Sequence, residues 1–269
     1  MKFIKSALGF GLTLWQKKRT ILELARRDFI SQHSGTLLGV FWNYAQPLTY
    51  VLVLTLIFSV GLRRNPGGRV PFLVFLIAGM IAWQFFSLTW GSLTHIIRAH
   101  AFLVHKGGFP LAILPLAKIL SAVVPHLVLI AVTVLVAWFK GIPPGLYALQ
   151  VFYYLAGLLC LLLGLGWLTA AASLFIEDVA NFVGVLMQFG FWITPIFWNI
   201  DSISPKYRWL FKLNPVFYFV TGYRDSLIYR IGFWEKPGET LYFWIITLLA
   251  LIIGAAVFRR LKPHFGEVI

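Results

Sequence analysis

Charge is scarce in this chain. Asp, Glu, Lys and Arg make up 12% of its 269 residues, against about 25% in an ordinary soluble domain. Apolar residues make up 59%, so there is too little polar surface to clothe a globule, and lipid must cover much of it. Acid is the scarcer sign, with 9 Asp and Glu against 23 Lys and Arg. The resulting net charge of +14 does not describe a nucleic-acid surface, because the charges sit in gaps between apolar runs. Anionic membrane lipid is the fitting partner for them there. Cysteine is all but missing: Cys160 stands alone inside an apolar run, which excludes an internal disulfide and a thiolate metal site. The first residues, Met1 to Arg19, carry Lys2 and Lys5. Their apolar run is broken by Ser6, Gly9, Gly11 and Thr13, and no A-x-A site follows, so no signal peptide is expected.

Chemistry-bearing motifs are missing too. There is no G-K dipeptide, hence no phosphate-cradling P-loop, and neither H-E-x-x-H nor G-x-S-x-G occurs. His95, His100 and His105 stand five apart, which on a helix turns each by about 140° and denies them a common face. Neither a catalytic group nor a metal ligand set nor a cofactor site is expected. Glu177-Asp178 is the one acidic pair near a membrane boundary, and a solvated helix end explains it as well as catalysis does. Ion-driven transporters keep carboxylates at membrane depth. No Asp or Glu lies inside an apolar run here, and His126 is the lone ionisable group well inside one. Hydrogen bonding to a neighbouring helix is the expected role of His126.

What is present is a series of long apolar runs. Spanning a bilayer core of about 30 Å takes roughly 20 helical residues. Six segments meet this: Leu38–Leu62, Pro71–Leu93, Ile119–Phe139, Leu146–Phe175, Val179–Trp198 and Thr240–Phe258. The expected fold is therefore a single all-α membrane domain over 1–269 with six transmembrane helices. Six spans place both termini on one side. Of the 23 Lys and Arg, 13 fall on that side, and the strongly basic first flank makes it the cytoplasm.

Three segments are not simple spans. Within the interface region 1–33, Thr20–Phe29 is patterned as an amphipathic helix, with Ile21, Leu22, Leu24, Ala25 and Phe29 opposite Arg19, Glu23, Arg26 and Arg27. Thr94–Leu116 mixes apolar residues with Arg98, His105 and Lys106 before breaking at Gly107-Gly108-Phe109-Pro110, as a short amphipathic helix ended by glycines would. It suits either a rigid contact for a soluble partner or a second interfacial helix. Ile200–Glu239 holds apolar stretches too short to span, punctuated with Pro195 by Pro205 and Pro215. Such helices enter and return only where protein surrounds them, which suggests a lined cavity or gate on the outer side. Aromatics at the run ends, Phe41, Trp42, Tyr44, Trp138, Trp198 and Trp244, read as interfacial belts. Trp83, Phe85, Phe86 and Trp90 lie deeper, suited to core packing or to a path lined by rings for sugars.

At these residues the sequence resembles the ABC-2 type permeases that export polysaccharides such as O-antigen, capsule and teichoic acid. The resemblance rests on Arg27-Asp28-Phe29, Gly35-Thr36-Leu37-Leu38-Gly39-Val40-Phe41-Trp42 with Pro47, Phe109-Pro110 with Ile113-Leu114-Pro115, Asp178-Val179, Thr194-Pro195-Ile196-Phe197, Leu213-Asn214-Pro215, Arg224-Asp225 and Phe258-Arg259-Arg260-Leu261, in family order. Ser31-Gln32-His33 and Glu177 replace basic residues usual in the family. The resemblance implies a homodimer in the bacterial cytoplasmic membrane, two copies of a separate P-loop ATPase that holds the ATP and magnesium, and a lipid-linked polysaccharide substrate. It implies ATPase contacts at Arg26, Arg27, Asp28, Arg98, His105 and Lys106, and an outer gate at Pro195, Asn214, Pro215, Tyr223 and Arg224. Trp42, Trp83, Phe86, Trp90 and Phe197 become candidates to line the channel. An exporter of a drug or lipid, and a membrane enzyme on lipid-linked sugars using Glu177-Asp178, are the other readings of the residues.

Overall fold

A computed structural model describes residues 17–31, 39–61, 70–106 and 109–269. The interface region before Lys17, Gln32 and His33, the Gly35–Leu38 portion of the motif, the first span's ends at 38 and 62, and the Gly107-Gly108 break lie outside these residues. The elements are α1 (Lys18–Ser31), α2 (Trp42–Thr55, continued by a π-turn over Leu56–Gly61), α3 (Phe72–Thr94), α4 (Ile96–Ala99), α5 (Ala101–Val104), α6 (Ile113–Phe139), α7 (Gln150–Phe175), α8 (Asp178–Ile193), α9 (Arg208–Lys212), α10 (Pro215–Arg224, with a π-turn over Asp225–Tyr229), α11 (Pro237–Leu261) and α12 (Phe265–Val268). No strand occurs among the described residues.

Four helical stretches are long and apolar enough to cross a membrane: Phe72–Thr94, Ile113–Phe139, Leu146–Phe175 and Pro237–Val268. The two remaining expected spans are shorter apolar helices, Pro47–Phe58 and Asp178–Ile193. The fifth expected span ran to Trp198, but α8 stops at Ile193 because Pro195 holds Thr194 extended (ψ 135°). Its 16 residues rise about 24 Å at 1.5 Å each. The expected third span began at Ile119, whereas α6 starts at Ile113 with Pro115 in its first turn, where proline's missing N–H costs nothing.

α3 is the central helix. It is apolar all round and buried nearly throughout, from Phe72 to Thr94, as a helix with no polar face must be. The other long helices bury one side and turn apolar residues outward, among them Leu135 on α6, Phe152 on α7 and Leu248 and Ile252 on α11. α7 and α11 approach most closely where both backbones are bare. A Cβ on Gly254 would collide with the Gly164 carbonyl, and one on Gly164 with the backbone of Ala250 and Leu251. Without a hydrophobic force between helices in lipid, such close approach is what holds them. Gly254→Leu is expected to lower stability by about 3 kcal/mol, because backbone rather than a side chain would have to move. A fall in thermal midpoint of the detergent-solubilised chain checks this.

At one end, α1 lays Ile21 and Ala25 on Ile113 and Ala117 of α6. A second cluster at this end joins Ile96, Ile97 and Leu103 to Leu114, Trp167, Leu174, Phe258 and Phe265. The α9–α10 hairpin occupies the opposite end, where α10 buries Val216 to Val220 against α3, α7 and α11 while Trp209 and Leu210 of α9 stay exposed.

Candidate functional site

The α1 end carries a cleft of about 650 Å³ between α1 and the 96–106 segment, walled by Glu23, Arg27, Asp28, His100, Lys106 and Lys118 among others. It brings together Arg27, Asp28 and Lys106 of the contact residues read from the sequence. Arg26 lies exposed on the same helix, and His105 is exposed beside Lys106. Asp28 is engaged within the chain: Lys118 donates to its two oxygens at 3.2 and 3.1 Å, and Ser121 Oγ donates at 2.5 Å. That carboxylate fastens α1 to α6. Arg98 turns to the other side, pairing with Glu177 at 3.1 Å and reaching the Ser173 carbonyl at 3.4 Å.

Within the Thr94–Leu116 segment the described residues 96–104 form two single turns, α4 and α5, rather than one amphipathic helix. His95 and His100 leave helical geometry (ψ 0° and 35°), and the His100 ring binds the Ile96 carbonyl at 3.0 Å. Side chains from α7 then fix the segment in place. Ser173 Oγ donates to the Thr94 carbonyl at 2.6 Å and Trp167 Nε1 to the Ala112 carbonyl at 3.0 Å. The first bond satisfies a backbone acceptor left open where the helix breaks at Thr94. The result is a braced, basic-rimmed cleft.

Two hollows flank α3. One is a groove of about 380 Å³ lined by Tyr50, Trp83, Gln84, Gln188, Phe191 and Trp192 with their neighbours. The other, about 300 Å³, lies between α2, α3 and α6, and Trp42 and Gln84 are among its walls. The five aromatic candidates therefore separate. Trp83 edges the groove, and Trp42, mostly exposed, edges the second hollow. Phe197 packs behind the groove, tilted against Phe191 and edge-on to Trp192, with centroids at 5.7 and 5.4 Å. Phe86 and Trp90 are core residues in this chain: Phe86 meets Phe219 at 5.5 Å, and Trp90 Nε1 donates to Thr169 Oγ1 at 3.3 Å. The sequence reading missed Tyr50, Phe191, Trp192 and Gln84. Gln84 was the findable one, an amide set in the apolar run from Phe72 to Phe86.

At the opposite end, Arg224 is buried with its guanidinium spread over three carbonyls. Nε donates to Phe75 at 3.1 Å, one terminal nitrogen to Pro195 at 2.5 Å and the other to Ile196. The Phe75 ring lies 3.6 Å below it, and α3 presents Gly79, where any side chain would strike the guanidinium. Asn214 caps α10 by accepting from Val216 N at 3.0 Å, and its amide donates to Thr194 Oγ1 at 2.9 Å. Pro215 opens the helix at a position needing no N–H donor. Of the residues read from the sequence as an outer gate, Pro195, Asn214 and Arg224 thus meet at one knot. Tyr223 faces away to His126, whose Nε2 lies 2.8 Å from the Tyr223 hydroxyl. That is the helix-to-helix hydrogen bond expected of His126. Asp225 pairs with Lys236. Burial pushes its carboxyl above the usual range, and the Lys236 ammonium pulls it back.

The sequence profile of the ABC-2 type transporter family matches residues 19–228, from α1 through the π-turn that follows α10. This chain belongs to the ABC-2 type transporter family. It is 26% identical over 251 residues to the O-antigen export system permease protein RfbA of Klebsiella pneumoniae, covering 93% of this chain and 94% of that one. It is 23% identical over 259 residues to the protein of the same name from Myxococcus xanthus, covering 95% and 97%. Glu177 stands at the head of α8 and pairs with Arg98 across an exposed surface (side chains 80% and 50% exposed). Solvent screens such a pair. Glu177→Gln is expected to change stability by less than about 0.5 kcal/mol and to leave transport intact. Loss of transport in that variant would instead favour a catalytic role for Glu177-Asp178.

Proposed function

We propose that this chain is the channel-forming permease subunit of an ATP-driven exporter that carries a lipid-linked polysaccharide across the bacterial cytoplasmic membrane. The observation that carries the reading is the end-to-end likeness to two O-antigen export permeases, each matched over more than nine-tenths of both chains. The missing P-loop and the absence of carboxylates from the apolar runs agree with energy drawn from a separate ATPase. In this reading α2 and α8 complete six spans, both termini are cytoplasmic, and the braced basic cleft receives the ATPase. The outward apolar faces of α2 (Leu52, Val53, Leu56) and α8 (Phe182, Phe189, Trp192) face a second copy, so that two chains enclose the path and two ATPase subunits sit beneath them. The α9–α10 hairpin stands at the outer mouth.

Deleting the gene should remove the surface polysaccharide of the producing cell, and the intact chain should restore it. The purified chain should hydrolyse no ATP by itself and should form a stable complex with the P-loop subunit encoded beside it. Unaltered surface polysaccharide in the deletion strain would refute the reading.

A further inference from the structure

We propose that the face of α1 turned away from α6 binds the phosphate headgroups of anionic lipid, with Arg26 as its principal contact. Residues three and four apart share a side of a helix, so Arg19, Leu22, Arg26 and Ile30 form one stripe. All four are exposed, Leu22 at 61% and Ile30 at 53%. The remaining sides of α1 are taken. Ile21 and Ala25 pack on α6, Asp28 holds Lys118 and Ser121, and Glu23 and Arg27 face the cleft. Both acids of α1, Glu23 and Asp28, therefore lie off the stripe, which carries two cations, two apolar side chains and no acid.

The depth of the stripe follows from α6. Lys118 lies near the start of that helix and Lys140 caps its end. They stand 22 residues apart, about 33 Å of helix at 1.5 Å per residue, which matches a hydrocarbon core of about 30 Å. Lys118 thus marks one boundary of the core. Trp42, 57% exposed, shares a hollow with it, as an interfacial tryptophan would. α1 runs alongside the first turns of α6 in the same direction, since Ile21 and Ala25 cluster with Ile113 and Ala117 while Asp28 meets Lys118. Asp28 is therefore at the boundary too. Ile30 stands about 3 Å beyond it on the hydrocarbon side, and Arg26 about 3 Å short of it, inside a headgroup layer of about 5–7 Å. Leu22 and Arg19 follow one and two turns further toward water, from where the long arginine stem reaches back to the layer.

Charge selects the ligand. A guanidinium at this depth meets a lipid phosphate as a two-pronged donor, and apolar neighbours on either side of it, Leu22 and Ile30, suit the boundary between headgroups and acyl chains. Helical periodicity alone groups Leu22 with Ile21 and Arg26 with Arg27. Packing separates each pair, turning Arg26 to the lipid and Arg27 to the cleft. Lipid binding at this face is independent of what the chain exports.

The test is amide hydrogen exchange of the full chain in nanodiscs of phosphatidylcholine alone and of phosphatidylcholine and phosphatidylglycerol in equal parts. One basic residue at an anionic surface is worth about fivefold, the equivalent of about 1 kcal/mol. Amides of α1 are expected to exchange about fivefold slower, or slower still, in the mixed bilayer. Arg26→Gln should remove about fivefold of that protection there and none in phosphatidylcholine. Salt at about 1 M shortens the Debye length to about 3 Å and should abolish the lipid difference. Arg27→Gln, on the cleft side, should leave it intact, and amides of α3 should exchange alike throughout, which shows that the bundle stays folded. Equal α1 exchange in the two bilayers overturns the proposal and leaves the stripe to a second copy of the chain or to the ATPase. A lipid effect reduced as much by Arg27→Gln as by Arg26→Gln overturns it as well, because the attraction would then come from net charge and not from this face.

Discussion

Arg224→Ala is expected to cost about 3–5 kcal/mol. Three carbonyls, of Phe75, Pro195 and Ile196, share this one donor group, and an unpaired buried acceptor costs about 1–3 kcal/mol. The residue does more than satisfy acceptors. It ties α10 to the start of α3 and to the Thr194–Ile196 strap that follows α8, so removing it releases three elements together. Arg224→Lys keeps the charge but offers a compact ammonium in place of a planar fork, and about half of the loss is expected to remain. Thermal midpoints of wild type and both variants measure this directly. A wild-type midpoint in the alanine variant would show that the guanidinium is not what binds the strap.

Asp28→Asn is expected to loosen α1 without unfolding the bundle. Asp28 and Lys118 are each about five-sixths buried at the side chain (16% and 14% exposed), so solvent screens them little. The asparagine would leave the Lys118 ammonium without a counter-charge, at a cost of about 2 kcal/mol. Amide hydrogens of α1 should then exchange about thirtyfold faster, since 1.4 kcal/mol is a factor of ten, while those of α3 should not change. Removing both partners, in Asp28→Asn with Lys118→Met, should recover part of the loss, because no charge is then left buried alone. Equal exchange in wild type and Asp28→Asn would mean that the apolar contacts of Ile21 and Ala25 hold α1 alone.

The span positions were legible because composition alone specifies them. Phe72–Thr94 and Leu146–Phe175 match the expected boundaries within a residue, since long apolar runs bounded by charge leave a helix few other places to begin and end. Helical periodicity placed Ile21 and Ala25 of α1 on the side that packs on α6, whereas Leu22, read on the same face, is 61% exposed. The true end of α8 could have been read from Pro195, which forbids a helical Thr194; hydropathy continues past it and conceals the break. The two single turns at 96–104 were not legible, because the bracing comes from Ser173 and Trp167, which lie 79 and 55 residues away from the carbonyls they bind.

Site residues divide along the same line. Residue type and order pointed to Arg27, Asp28, Arg98 and Arg224 as functional, but what each one touches depends on long-range pairing. Asp28 meets Lys118 across 90 residues, and Arg224 meets Phe75 across 149. Phe86 and Trp90 share an apolar, aromatic character with Trp83. Only the placement of α10 and α7 against α3 sends the first two into the core and leaves Trp83 at the edge of a groove.

The sequence by itself determined that the chain lives in a bilayer, where its long helices lie and that it carries no P-loop of its own, because these follow from scarce charge, run length and missing motifs. Only the tertiary structure decided which polar groups are satisfied. It closed a clasp around Arg224, joined Asp28 to Lys118, and left Gln84 Oε1 and His126 Nδ1 buried without a hydrogen-bond partner. Bonds such as Asp28 with Lys118 and Arg224 with Phe75 are made across the bundle between residues 90 or more apart, and no local pattern specifies such a partner.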